Sequence, residues 1–189
     1  MYFYLVSYPV LGAGLKYIDD AFDEKIFNRK IALALAPLLA VLWAYTMLID
    51  QFSATILLAV LVGVFLRGKI DNYAHFTGLI IIVSIVFYFG INLLVFPLIL
   101  IAAAAFLDEL GNDIVDYNLE NIDDNSFRQK IVVYFFDQRW VTKIAILYVI
   151  FLGVFPIYFF LAILLFDGAY LIVRLYSRSQ QKIQRAVCA

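Results

Sequence analysis

Apolar and charged segments alternate along the chain. Five apolar blocks separate short stretches that carry almost all of the charge, and they cover residues 2–15, 31–49, 52–66, 78–107 and 144–173. The fourth block has no charged residue over 30 positions, and a helix of that length would reach roughly 45 Å, well beyond a bilayer core of about 30 Å. The pattern therefore predicts helices that cross a membrane. It also predicts that a long block folds back on itself and forms two of these helices.

Turn-forming residues mark where the two long blocks fold back. Gly90 and Asn92 lie near the middle of the fourth block, and Gly153 and Pro156 lie within the fifth. Residues of these types interrupt helices and favour turns. We therefore predict an all-α polytopic transmembrane helical bundle of about seven short spans. A five-span alternative, with each long block as one tilted helix, would scatter Lys and Arg over both faces.

Charge predicts the orientation of the bundle. With seven spans, all 14 Lys and Arg residues fall on one face, and the other face holds only Asp50. Basic residues concentrate on the cytoplasmic side of membrane proteins, so we expect an outside N-terminus, a cytoplasmic C-terminus and a multi-pass protein of the plasma membrane. The bundle would cover residues 1–177 with two cytoplasmic acidic segments, 16–30 and 108–143. Residues 178–189 would form a frayed cytoplasmic tail.

Composition agrees with lipid as the solvent. Hydrophobic residues make up 65% of the chain and charged residues 15%, whereas soluble domains are nearer a half and a quarter. The chain has no basic tract of the kind that follows a phosphate backbone, so we expect no nucleic-acid partner. The single cysteine, Cys188, excludes an internal disulfide framework.

Two acidic segments carry the candidate chemistry. The first follows a span directly and contains Asp19, Asp20, Asp23 and Glu24. In the second, polar residues recur every four positions and would share one helix face, namely Asn112, Asp116, Glu120 and Asp124. Converging carboxylates repel one another unless a cation lies between them, and hard oxygen ligands suit Mg²⁺ with substrate phosphates. Either segment alone could equally be a set of solvated charges in a loop. Because both segments lie on the same predicted face of the membrane, a magnesium–phosphate site is favoured.

These segments resemble the two aspartate-rich motifs of UbiA-type intramembrane prenyltransferases. Residues 112–120 read N-D-I-V-D-Y-N-L-E, similar to the family's N-D-x-x-D-x-x-x-D, and residues 19–23 read D-D-A-F-D, similar to its N-D-x-F-D. Four predicted spans separate the two motifs, as in that family. Residues 128–147 also resemble the basic–apolar–basic stretch that follows the second motif. The chain is shorter than typical members, Glu120 replaces an Asp, and Phe27 stands where the first motif has its last acid.

The resemblance implies an intramembrane transferase that acts on a polyprenyl diphosphate or a related lipid phosphate through carboxylate-bound Mg²⁺. The metal ligands that it implies are Asp19, Asp20, Asp23, Asp113, Asp116 and Glu120. Four of these, Asp20, Asp23, Asp113 and Asp116, would be the catalytic residues. Its implied substrate-binding residues are Asn112, Arg128, Lys130 and Lys69. The metals and nearby cations would neutralise the leaving diphosphate, and the prenyl chain would lie between helices in contact with lipid.

Two isolated polar residues each admit two interpretations. His75 is the only histidine; it is either a base or phosphate ligand beside Asp71 and Asn72, or a polar boundary residue at the mouth of a span. Asp167 lies inside the last apolar block, where an unpaired carboxylate is costly. Arg174, two turns further on, could pair with it, either to join helices or as part of the acidic site.

Two functions other than catalysis also fit the pattern. One is a non-catalytic membrane subunit or degenerate relative whose acidic cytoplasmic face docks a protein partner. The other is a cation transporter, which would need ionisable groups deep in several spans, whereas only Asp167 is so placed. An enzyme differs from a docking subunit in requiring that the two acidic segments converge on one cavity open to lipid.

Overall fold

The computed structural model describes residues 1–68, 72–118 and 127–188, without the side chains of 116–118, 127–130, 137 and 184–188. Over these residues the chain is all-α, as predicted, with eight helices and no strand. The helices are α1 Tyr2–Phe22, α2 Arg29–Leu48, α3 Gln51–Leu66, α4 Tyr73–Phe89, α5 Val95–Asn118, α6 Phe127–Asp137, α7 Trp140–Phe151 and α8 Tyr158–Cys188.

Both long apolar blocks break at their turn-forming residues, as predicted. Gly90 ends α4 with a φ of 73°, and Gly153 follows α7 with the same φ. A positive φ is accessible to glycine because it has no Cβ to clash with the backbone. Each long block therefore forms two helices, and the two predicted breaks are confirmed.

Polar residues between the blocks begin the helices. Asn28, Asp50 and Asn72 cap α2, α3 and α4, because each side-chain oxygen accepts backbone N–H groups of the first turn. Such caps satisfy donors that have no partner within the helix. Asp50, the single charge on the predicted outer face, is therefore a helix cap.

Within the described ranges, three helices are long and apolar enough to cross a membrane. They are α2 over Arg29–Leu48, α5 over Val95–Val115 and α8 over Tyr158–Ile183. Helices α3, α4 and α7 are apolar but shorter. By length and composition the chain therefore fits a membrane protein, and the count of seven crossings stays a prediction.

The chain divides into two compact units. Unit 1 comprises Met1–Ile49, Asp71–Ile91 and Leu161–Ala189, and unit 2 comprises Asp50–Ile70 and Asn92–Phe160. Each unit contains one of the two acidic segments, so each is described separately.

In unit 1, α2 packs between α1 and α4, and α8 closes the core against α1 and α2. The core includes the fully buried side chains of Tyr8 and Leu11 from α1. Trp43 of α2 meets Phe166 of α8 edge to face, with ring centroids 6.3 Å apart. Gly12 lies directly against the backbone of Phe166, where a Cβ would clash. Helices α1 and α8 therefore approach backbone to backbone at this position.

In unit 2, α5 is the central helix and contacts α3, α6 and α7. Gly63 of α3 lies close to Ala105 of α5, and Gly111 of α5 lies under the ring of Phe136 from α6. Small residues at such positions let helices approach closely. The polar end of α5 is thereby held beneath α6 and the start of α7.

The C-terminal residues extend the last helix. The sequence predicted a frayed tail after residue 177, whereas α8 continues through Cys188. Ser177 is buried, and Gln181 Nε2 donates to Glu24 Oε2 at 2.5 Å. The expected fraying is therefore wrong over the described residues, because contacts with the loop after α1 anchor one face of this helix.

Candidate functional site

The first acidic segment lies at the C-terminal end of α1, in unit 1. Asp20 is only 3% exposed, and its Oδ1 lies 2.9 Å from Lys16 Nζ, one turn earlier. Its other oxygen, Oδ2, is buried and meets no hydrogen-bond donor among the described residues. A buried acceptor without a donor costs free energy, so Asp20 Oδ2 is the oxygen that a bound cation would stabilise most.

Asp19 joins three helices of unit 1. His75 Nε2, at the start of α4, lies 2.5 Å from Asp19 Oδ1, and Tyr170 OH of α8 donates to Asp19 Oδ2 at 3.3 Å. Asn72 Oδ1 accepts the backbone N–H of His75 and so fixes the start of α4. His75 is thus a partner of the first acidic segment, while Asn72 is a cap and Asp71 lies outside the described residues.

A half-buried cation accompanies these carboxylates. Lys16 Nζ lies 5.3 Å from the centre of the Tyr170 ring. Burial by itself lowers the pKa of Lys16, but its interactions with Tyr170, Asp20 and Asp19 outweigh burial and raise that pKa above its usual value. Lys16 is therefore a fixed positive charge beside the acidic pair at neutral pH.

The loop after α1 is held at both ends and at its centre. The Arg29 guanidinium donates to two carbonyl oxygens of the last turn of α1 at 3.3 and 3.0 Å, an arrangement that satisfies the free acceptors of a helix C-terminus. The ring of Phe27 stacks on Tyr17 at 4.4 Å and on Tyr176 at 6.1 Å. The residue that stands in place of the resembling motif's last acid thus packs the loop against α1 and α8.

In unit 2, Asp108 of α5 caps the start of α7. Its Oδ1 accepts the backbone N–H of Val141 at 3.0 Å, and its Oδ2 accepts that of Thr142 at 2.7 Å. These N–H groups have no partner within α7, and a carboxylate is favoured at the positive end of a helix dipole. Asp108 is 1% exposed, so this member of the second acidic segment has a structural role.

The turn between α6 and α7 carries two cations. Arg139 has a left-handed backbone with a φ of 51°, which is uncommon for a residue other than glycine, and its Nη2 lies 3.0 Å from Glu109 Oε1. The buried Lys143 donates to the backbone oxygen of Gln138, and its Nζ lies 5.5 Å from the centre of the Trp140 ring. Glu109 therefore holds this turn against α5, and Lys143 joins the turn to the first residues of α7.

Asp113 of α5 forms an ion pair with Arg67, the residue that ends α3. Both side chains are about one-third exposed, at 30% and 34%. Exposed ion pairs contribute only about 0–1 kcal/mol. A metal ion or a phosphate could therefore replace one member of this pair at little cost. Asn112, the preceding residue, is half-buried.

Several predicted site residues lie beyond this description. Asp116 belongs to α5, and Arg128 and Lys130 belong to α6, but their side chains are outside the described residues. Lys69 and Glu120 lie outside the described residues altogether. Their predicted roles stay predictions.

The structure brings the acids together with cations inside each unit. Among the described side chains, no group of three or more His, Cys, Asp or Glu is arranged to hold a metal ion. Asp19, Asp20 and the exposed Asp23 belong to unit 1, whereas Asp113 belongs to unit 2. The expected convergence of the two segments stays a prediction.

Sequence reasoning missed the partners of the acidic residues. Lys16 lies four positions before Asp20, a helical spacing that could have indicated the pair. Tyr170 lies 151 residues from Asp19, and Arg67 lies 46 residues from Asp113. No local pattern points to partners at such separations.

No protein-family model, curated protein or solved structure matches the chain. The resemblance to UbiA-type prenyltransferases therefore stays a prediction, which rests on residues 19–23, on residues 112–120 and on the basic–apolar–basic stretch after them.

Proposed function

We propose that this chain is an intramembrane transferase that acts on a polyprenyl diphosphate or a related lipid phosphate through carboxylate-bound Mg²⁺. The observation that carries the proposal is the buried carboxylate of Asp20, whose Oδ1 pairs with Lys16 while Oδ2 has no donor among the described residues. A hard divalent cation at Oδ2 would relieve the cost of burying that oxygen. The all-oxygen character of the nearby acidic side chains fits magnesium.

The proposed topology has seven crossings, formed by the apolar helices α1 to α5, α7 and α8. The amphipathic α6 would then lie along the charged face. By the distribution of Lys and Arg, that face is cytoplasmic and the N-terminus is outside. The plasma membrane is the proposed location.

Each acidic segment would contribute magnesium ligands within its own unit. In unit 1 these are Asp19, Asp20 and Asp23, and in unit 2 they are Asp113, Asp116 and Glu120. When bound, Mg²⁺ would supply the positive charge that neutralises a leaving diphosphate. Lys69, Asn112, Arg128 and Lys130 are the proposed contacts to the substrate phosphates.

Neighbouring side chains of unit 1 would orient the acidic residues. Lys16 fixes Oδ1 of Asp20, so that its other oxygen is the one left for a ligand. His75 and Tyr170 fix both oxygens of Asp19. These contacts set the direction of each carboxylate before any ligand binds, which reduces the entropy lost on binding.

The pairing of the acids also favours a second candidate, a non-catalytic membrane subunit whose acidic face docks a protein partner. Asp19, Asp20 and Asp113 each bond to a positively charged or titratable side chain. Pairs between helices, such as Asp19 with His75 and Asp113 with Arg67, can hold those helices together without a metal. The two candidates differ in whether a diphosphate binds, and whether its binding needs magnesium.

Equilibrium binding of farnesyl diphosphate to the detergent-solubilised full chain, with Mg²⁺ or with EDTA, tests the proposal. We expect affinity to fall at least tenfold in EDTA. We expect a similar loss in Asp20→Asn and in Asp116→Ala, because each variant removes a proposed ligand oxygen or carboxylate. Asp20→Asn keeps the shape of the buried side chain, and circular dichroism would establish that it folds.

Asp50→Asn is the matched control, since it removes a carboxylate that only caps α3. It should bind farnesyl diphosphate as the unaltered chain does. Binding that is independent of both magnesium and Asp116, or absent from a folded chain, would contradict the transferase proposal and favour the docking subunit.

A further inference from the structure

The last helix is longer than a membrane crossing requires. Helix α8 has 31 residues and would extend about 46 Å, whereas the hydrocarbon core of a bilayer is about 30 Å thick. Roughly the last ten residues therefore lie beyond the core if the helix crosses from its first residue. The burial of Ser177 and the hydrogen bond from Gln181 to Glu24 show which face of this end of α8 turns inward, and therefore which face turns outward.

The outward side of this extension carries a basic stripe. Arg174, Arg178 and Lys182 recur at every fourth position of α8, so they lie along one face, one turn apart. The side chains of Arg178 and Lys182 are exposed. Three successive turns of the helix thus each carry a cation, which is half-buried in the first turn and exposed in the next two.

An apolar stripe runs beside the basic one. Ile172, Leu175 and Ile183 belong to the same helix and are 69%, 65% and 54% exposed. Helical spacing places them beside the basic stripe, on the side of α8 opposite the buried Ser177. Exposed apolar residues next to exposed Lys and Arg are typical of helices that lie at a membrane interface.

We propose that this surface of α8, Arg174, Arg178 and Lys182 with Ile172 and Leu175, binds anionic phospholipid. The cations lie where the helix leaves the hydrocarbon core, at the depth of the headgroup phosphates. The apolar stripe lies where the upper part of an acyl chain would run. Basic clusters next to a membrane-spanning helix attract anionic lipid, with each Lys or Arg strengthening binding about fivefold. This surface takes no part in the proposed transferase chemistry.

Native mass spectrometry of the detergent-solubilised full chain, titrated with phosphatidylglycerol or phosphatidylcholine, tests this site. The two lipids differ in net headgroup charge. We expect tighter binding of phosphatidylglycerol, and a loss of about 25-fold in its affinity for Arg178→Gln/Lys182→Gln, since two contributions of about fivefold are removed. Phosphatidylcholine binding should be unchanged.

Lys25→Gln/Lys30→Gln provides a matched control, because it removes two exposed cations from the same unit but from outside α8. It should retain most of the affinity for phosphatidylglycerol. Equal losses in the two double variants, or unchanged phosphatidylglycerol binding in the α8 variant, would overturn the proposal. All four substituted residues are exposed, and an unchanged unfolding midpoint in lipid-free detergent would confirm that both variants fold.

Discussion

The cap that Asp108 places on α7 predicts a large effect from a small substitution. Asp108→Asn keeps the size of the side chain but replaces one carboxylate oxygen with an NH₂ group. In the structure each oxygen accepts a different backbone N–H, from Val141 and from Thr142. One of these N–H groups would then face a donor, and the site would lose its negative charge.

The magnitude follows from burial and charge. A hydrogen bond to a charged group contributes about 1.5–3 kcal/mol, and a buried donor without a partner adds a penalty of similar size. Because the two terms overlap, we expect Asp108→Asn to lower the free energy of unfolding by about 2–4 kcal/mol. Asp50→Asn should cost under about 0.5 kcal/mol, because Oδ1 of Asp50 alone accepts both N–H groups of α3 and Asn caps helices as well as Asp.

Detergent-mediated unfolding, followed by fluorescence, measures both variants. Trp140 is the first residue of α7, and Trp43→Phe would leave it as the single tryptophan reporter beside the Asp108 cap. Unfolding free energies for Asp108→Asn and Asp50→Asn that agree with each other would refute the assignment of Asp108 as a buried charged cap. The assignment would also be refuted if the fluorescence of Trp140 reported no change at the start of α7 in Asp108→Asn.

Two further predictions concern packing in unit 1. Gly12→Ala should destabilise the chain by about 1–3 kcal/mol, because its Cβ would meet the Phe166 backbone. Gly168→Ala, whose Cβ would have nothing within 4 Å, should leave the stability unchanged. Thermal unfolding measures both variants, and equal shifts in their unfolding midpoints would contradict the close approach of α1 and α8. Phe27→Ala should speed tryptic cleavage after Lys25, because it removes both ring stacks. Phe27→Tyr should keep the loop protected from trypsin. Identical digestion rates for the two variants would show that the stacks do not hold the loop.

The helix breaks could be predicted because their causes are local. Gly90 and Gly153 both adopt a positive φ, a conformation that glycine tolerates wherever it stands. Composition and block length likewise predicted an all-α chain with helices of membrane-spanning length. None of these inferences needs to know which helices touch.

The ordered end of α8 could not be predicted because its cause is distant in the sequence. Residues 178–189 are polar enough to be read as a tail, but Tyr176 stacks on Phe27 and Gln181 binds Glu24. Those partners lie about 150 residues earlier, in the loop after α1. Tertiary contacts of this kind override local composition.

The sequence predicted the residue types of the site and the helix faces that carry them, but not the side chains with which they pair. Periodicity places Asn112 and Asp116 on one side of α5, but it does not distinguish a possible ligand such as Asp113 from a cap such as Asp108. That distinction depends on where α7 begins relative to α5. The predicted pairing of Asp167 with Arg174 stays a prediction.

The contacts of Asp19 have a consequence for the order in which this protein is made. Asp19 is the first of the three residues to be synthesised, His75 follows 56 residues later, and Tyr170 follows 151 residues after Asp19. The three-helix junction around that carboxylate is therefore complete only after Tyr170 of α8 has been synthesised. A nascent or truncated chain that stops before α8 would carry the first acidic residues without their full set of partners.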